Sequence, residues 1–314
     1  MTRRFLISFP FLVTPLLGED AWLARLGGQI ETDSSGRVTS VNLRGTWIND
    51  VEMLEIARLE GLKRLNLSHT RITDEGLLYI KNLRSIEDLN LEYAELITDG
   101  GMTSVRGWPN LTRLNLRGTR VGDGTMEILG GLVQLAALDV GDTDVTDTGF
   151  DYLITLTSLE DLGLTGDRVG PIGISSLRLL TTLKRLDLSG SQTSRRRPNP
   201  PPLDDELSKA IAGLTSLETL ELGRLGVTVE SLQTLSRLEA VEKLGLAGCN
   251  LLGDSAIDVL AGWRSLQRLD LQHTSVTATG IARLRDARPA LRVLANPGQP
   301  GSKDVPAAVA ERLE

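Results

Sequence analysis

The chain has 314 residues, of which 40% are hydrophobic, 24% charged and only 4% aromatic, and its formal net charge is −7. That acidic balance excludes nucleic-acid binding as the main task, because gripping a phosphate backbone needs a basic footprint. A single cysteine, Cys249, excludes an intrachain disulfide and leaves the redox compartment open.

Residues 1–20 begin Met1-Thr2-Arg3-Arg4 and continue as an apolar run from Phe5 to Leu17. Basic residues ahead of roughly 7–15 apolar ones describe a secretory leader. Against that, Pro10 and Pro15 interrupt the run, no small-residue cleavage site follows, and the run is shorter than the ~20 residues of a membrane span. Two expectations stand side by side: an exported or membrane-tethered protein, and a cytoplasmic one whose leader packs over the first repeat. Residues 21–37 read as an N-terminal cap. A short helical piece over 21–26 ends at Gly27-Gly28, and 29–32 and 37–43 form the arms of a hairpin. Asp33-Ser34-Ser35-Gly36 joins them with side chains that bond their own backbone and a glycine that tolerates positive φ. Such a hairpin would cover the open end of a stack.

From Val38 to about residue 290 one pattern recurs. Strands start at Val38, Leu62, Ile86, Leu111, Leu135, Leu159, Leu183, Leu217, Val241 and Leu266, mostly 24 or 25 residues apart. A fixed period of this size is the signature of a solenoid. The stretch 62–83 shows the logic. Leu65 and Leu67 point to one side of a strand and Asn66 to the other. Thr70 and Ile72 turn the chain. Thr73-Asp74 starts a helix with a capping oxygen and an acid at the positive end of the helix dipole. Leu77, Ile80 and Leu83 then close the core at helical spacing. Thr98-Asp99, Gly122-Asp123, Thr146-Asp147 and Gly253-Asp254 repeat the helix start. Parallel strands inside and helices outside must curve into an arc with the sheet on the concave face, since strands stack more closely than helices.

These L-x-x-L-x-L strands and T-D-x-G-L segments resemble the leucine-rich repeat family. Within it they are similar to the ribonuclease-inhibitor-like subclass with helical convex sides, found among F-box-associated and many bacterial repeat proteins. The resemblance spans about 38–294 and implies an α/β solenoid; it says little about function. The chain departs from the subclass at the turn, where Asn or Cys gives way to Thr46, Thr70, Thr119, Thr143 and Thr274, with only Cys249 retaining the thiol. No F-box-like segment precedes the repeats.

About ten extra residues interrupt the seventh repeat. The insertion, 191–202, holds Arg195, Arg196 and Arg197 followed by a proline-rich run, and it must loop out at the strand-to-helix edge. It reads either as a binding element on the rim or as a tolerated surface loop. Residues 291–314 read as a C-terminal cap: a degenerate strand, Asn296-Pro297-Gly298, and a last helix over 302–314 with Pro306 in its first turn.

The sequence offers no catalytic set. His69 and His273 hold the same position in repeats eight strand steps apart, on the order of 38 Å, so they share no metal or relay. No phosphate loop, nucleophile elbow or zinc-protease motif occurs, and neither metal nor cofactor is expected. Function therefore falls to the concave face. One column there runs Asn42, Asn66, Asn90, Asn115, Asp139, Gly163, Asp187, Glu221, Gly245, Asp270, and its neighbour alternates in charge through Arg64, Asp88 and Arg113. Both columns read equally as self-satisfied ladders. His69 and Tyr93 stand at equivalent positions of consecutive repeats beside Arg64 and Arg117, the composition of an interface hot spot. The leading expectation is a monomeric, non-catalytic scaffold. It binds a protein or peptide partner through Arg64, Asn66, His69, Asn90, Tyr93 and Arg117, with Arg195, Arg196 and Arg197 as a second element. The alternative is an envelope-associated module that takes peptides or glycans through the asparagine column.

Overall fold

The computed structural model describes residues 21–167, 170–190 and 203–296. The leader, the insertion with Arg195, Arg196 and Arg197, and the helix expected over 302–314 lie outside the described residues. One 12-stranded sheet follows chain order from β1 (Gln29–Thr32) to β12 (Arg292–Leu294). β1 pairs antiparallel with β2 (Val38–Asn42), and Asp33 closes their turn by accepting from the Ser35 and Arg37 amides. Every later pair is parallel and in register by repeat. Arg64 of β3 (Arg64–Asn66) faces Asp88 of β4 (Asp88–Asn90), which faces Arg113 of β5 (Arg113–Asn115). The sheet thus runs past residue 290, with β12 as its last strand.

The leucines do what their spacing requires. Leu62, Leu67, Ile72, Leu77 and Ile80 are fully buried between sheet and helices. At the turn, the hydroxyls of Thr46, Thr70, Thr119, Thr143 and Thr274 each donate to the carbonyl three residues earlier, which satisfies a backbone acceptor that cannot reach water. Single extra residues in the third and ninth repeats leave Leu96 and Leu251 half exposed, since the flanking inward positions are already filled by Ile97 and Leu252.

The acid of the T-D-x-G-L segment does more than face its own helix dipole: its carboxylate reaches the next repeat. Asp74 accepts from the Thr98 amide at 2.8 Å and the Thr98 hydroxyl at 2.6 Å. Asp50 holds Thr73, Asp123 holds Thr146 and Asp254 holds Thr277 in the same way. Asp99 takes the Gly122 and Thr125 amides and the Thr125 hydroxyl, and Asp147 takes three amides from Gly170, Ile172 and Gly173. Each carboxylate therefore caps the following helix, where free N–H groups need an acceptor.

This relay explains the glycine of the segment. A Cβ on Gly101 would stand 2.6 Å from Asp74 Oδ1, and one on Gly76, Gly149 or Gly280 would collide with the acid of the preceding repeat. Where the preceding acid is missing, so is the glycine: Leu207 follows Pro171, and Ala256 follows Val229. The fifth repeat departs from the expected α-helix at Thr146-Asp147 and carries a 3-10 helix, Gly149–Thr155.

Candidate functional site

Three columns of side chains line the concave face, two residues apart along each strand: Arg64, Asn66 and Ser68 in the second repeat, and their counterparts in the others. The asparagine column is built into the backbone. Asn42, Asn66, Asn90 and Asn115 each accept, through Oδ1, the amide two residues on. Asp139, Asp187 and Asp270 do the same. No amide ladder links the strands; each side chain closes an Asx turn that ends its own strand. Asn66 and Asn90 keep their amide donors for a ligand, while each Oδ1 already holds one backbone hydrogen bond.

The arginines singled out by the sequence are largely engaged. Arg64 reaches over Ser40 to Glu31 of β1, rather than pairing with Asp88. Asp88 pairs with Arg113 at 2.9 Å and Asp161 with Arg185 at 2.8 Å, so that column is self-satisfied between neighbours. Arg117 stands 3.5 Å from Asp142 and 3.9 Å from Asp139. Burial works against the Arg117 charge, but the two acids outweigh it and raise its pKa. In the middle repeats the Asp139 side chain lies over Gly163 and that of Asp142 over Gly166.

His69 and Tyr93 do come together. Their rings stack with centroids 5.2 Å apart and planes 25° from parallel. Both residues have positive φ, 56° and 52°. The same repeat position is glycine at Gly45, Gly118, Gly166, Gly190 and Gly248 and a side-chain-bearing residue at Asp142, Arg224 and His273, all with positive φ. An L-residue in this region costs about 1–2 kcal/mol, so placing rings here is a departure from what the fold itself prefers. The backbone turns both side chains toward the rim, and the Tyr93 ring covers Gly118, which has no Cβ to obstruct it. Beside the pair lies a hollow of about 480 Å³ lined by His69, Thr70, Arg71, Tyr93, Glu95 and Leu96. Arg71 is exposed and enters no ion pair among the described residues.

Two members of this region escape sequence reasoning. Trp47 is 86% exposed and holds the repeat position of Arg71, one repeat earlier. The signal was present: Ile48 is the inward residue, so a tryptophan just before it must face out. Glu92, in the column of Arg44, Ser68 and Arg117, binds Arg44 across the intervening repeat at 3.1 Å.

The C-terminal half of the concave face is different. Burial, aided by Asp187 and Asp270, pushes Glu221 up to about 7, and burial also raises Asp270. Cys249 is buried, its thiol donates to the Leu222 carbonyl, and burial lifts its pKa to about 12, so it is an inert packing residue. Among the described residues no three His, Cys, Asp or Glu side chains are placed to hold a metal, and no helix is long and apolar enough to cross a membrane.

Residues 62–81 match the family model described as Leucine Rich repeat. No curated protein matches the sequence. Among solved structures the chain is similar to an internalin from Listeria monocytogenes, at 19% identity and a TM-score of 0.53, over 88% of this chain and 92% of that one. It is similar also to the leucine-rich-repeat ectodomain of the Arabidopsis receptor kinase HAESA in complex with an extended IDA peptide hormone. There the identity is 18% and the TM-score 0.52, over 82% of this chain and 46% of that one, so the chain spans about half of that ectodomain. At these identities the likeness is one of fold, a leucine-rich-repeat α/β solenoid.

Proposed function

We propose that the chain is a non-catalytic binding module, acting as a monomer, that takes a protein or peptide partner against the first repeats of its concave face and the rim beside them. The observation that carries this reading is the stacked His69–Tyr93 pair, two rings on consecutive repeats held at positive φ in a column that is glycine in half of the repeats. Rings kept at a backbone position that disfavours them, next to a hollow and an unpaired arginine, have the composition of an interface centre. HAESA, whose structure holds a peptide hormone, offers a parallel of fold only.

The experiment replaces both rings with the residue the column tolerates. The double variant His69→Gly, Tyr93→Gly keeps the backbone conformation and removes the aromatic surface. With the full chain as bait, at least one captured protein should be lost from the variant, with affinity falling about tenfold or more. A captured set identical to that of the unmodified chain would sink the reading. Reversing the charge of Arg64 or Arg117 is a poorer test, because Glu31, Asp139 and Asp142 would lose their partners as well.

A further inference from the structure

Resting on that reading, we propose that the feature recognised is a carboxylate: an acidic residue of the partner peptide, flanked by a bulky apolar one, with Glu92 standing in for it when no partner is bound. Two donor side chains approach the Glu92 carboxylate. Arg44 Nη1 lies 3.1 Å from Oε2, and His69 Nε2 lies 3.9 Å from the same oxygen. Ser68 shares the concave column of Arg44 and Glu92 and sits on the repeat between them, so their bridge passes over it. It is 0% exposed, and its hydroxyl has no hydrogen-bond partner. A buried hydroxyl left unsatisfied is uncommon and calls for a reason.

The bridge itself is weak. The Arg44 side chain is 55% exposed, and an ion pair so placed contributes little to stability. It also spans a whole repeat, whereas Asp88 and Asp161 pair with the strand next door. A guanidinium and an imidazole on one side, with a replaceable carboxylate on the other and an unsatisfied hydroxyl on the repeat between, form a site that accepts an incoming carboxylate and releases Glu92. The hollow lined by Tyr93 and the half-exposed Leu96 adjoins His69 and takes the neighbouring apolar side chain.

A random peptide display library, selected on the immobilised full chain, tests this. Peptides are counter-screened on the His69→Gly, Tyr93→Gly variant. The consensus should contain Asp or Glu next to a bulky apolar residue. A fluorescent peptide of that consensus should bind Glu92→Gln at least threefold more tightly than the unmodified chain and Arg44→Gln about tenfold more weakly, with unchanged unfolding midpoints. A consensus without an acid, or an affinity indifferent to Glu92→Gln, overturns the carboxylate inference while leaving the binding face in place. Absence of any consensus, or peptides that bind the ring-less variant equally well, overturns both.

Discussion

Asp99→Ala should lower the stability of the chain by about 3 kcal/mol, read as a shift in the urea midpoint. The carboxylate accepts from the Gly122 amide, the Thr125 amide and the Thr125 hydroxyl, all in the following repeat. Hydrogen bonds to a charged group contribute about 1.5–3 kcal/mol each and are not additive when they share an acceptor. Alanine also removes the recorded acceptor of the Gly122 amide at the start of the next helix. In a solenoid the interface between repeats is what makes the stack cooperative, so the transition should broaden as well as move. The control is Asp205→Ala at the same repeat position. Asp205 faces Lys209 of its own helix and no residue of the next repeat, so its loss should cost under about 1 kcal/mol. Equal effects of the two substitutions would contradict the relay.

Asp167→Thr should stabilise the protein, by about 3 kcal/mol at pH 8. Asp167 occupies the turn position that is Thr in the first, second, fourth, fifth and tenth repeats. It is 4% exposed, one carboxylate oxygen has no partner, and the other accepts only a long bond of 3.4 Å from the Thr143 amide. Burial, helped by Asp142 and Asp139, pushes its pKa from 3.8 up to about 8. The folded protein therefore holds a proton that the unfolded chain releases, and stability falls as pH rises from about 4 to about 8. Each pH unit between the two titrations is worth about 1.4 kcal/mol, and local relaxation recovers part of it. Threonine removes the titration and supplies a hydroxyl for the Leu164 carbonyl, as Thr143 does for that of Val140. The gain should be small at pH 4 and grow to a plateau above pH 8. A difference that ignores pH, or a less stable variant at pH 8, would contradict this account.

The fold was legible because the leucines, the turn threonines and the helix starts obey rules that act within a few residues, repeated at a fixed interval. Asp74 shows where such rules stop. As a local cap it looks complete, yet its hydrogen bonds are made 24 residues on, and only the paired absences of Asp and Gly at Pro171 and Leu207 and at Val229 and Ala256 record this in the sequence. At the site, equal repeat position was enough to bring His69 and Tyr93 together. Their positive φ was also readable from the glycines that share the column. Arg64 was harder, because its partner Glu31 lies on the one antiparallel strand, outside the repeat register. The asparagines looked available because a bond to one's own backbone leaves no mark on composition.

The central claim is that the partner docks on the rim of the second and third repeats. Amide hydrogen exchange of the full chain, with and without a selected consensus peptide, tests it most directly. The amides of Arg71, Glu95 and Leu96 donate no backbone hydrogen bond among the described residues and should exchange quickly in the free chain. Bound peptide should slow exchange over 69–71 and 92–96 and leave 185–270 unchanged. Protection confined to the acidic strands around Asp187, Glu221 and Asp270 would place the binding face at the other end of the arc and contradict the account.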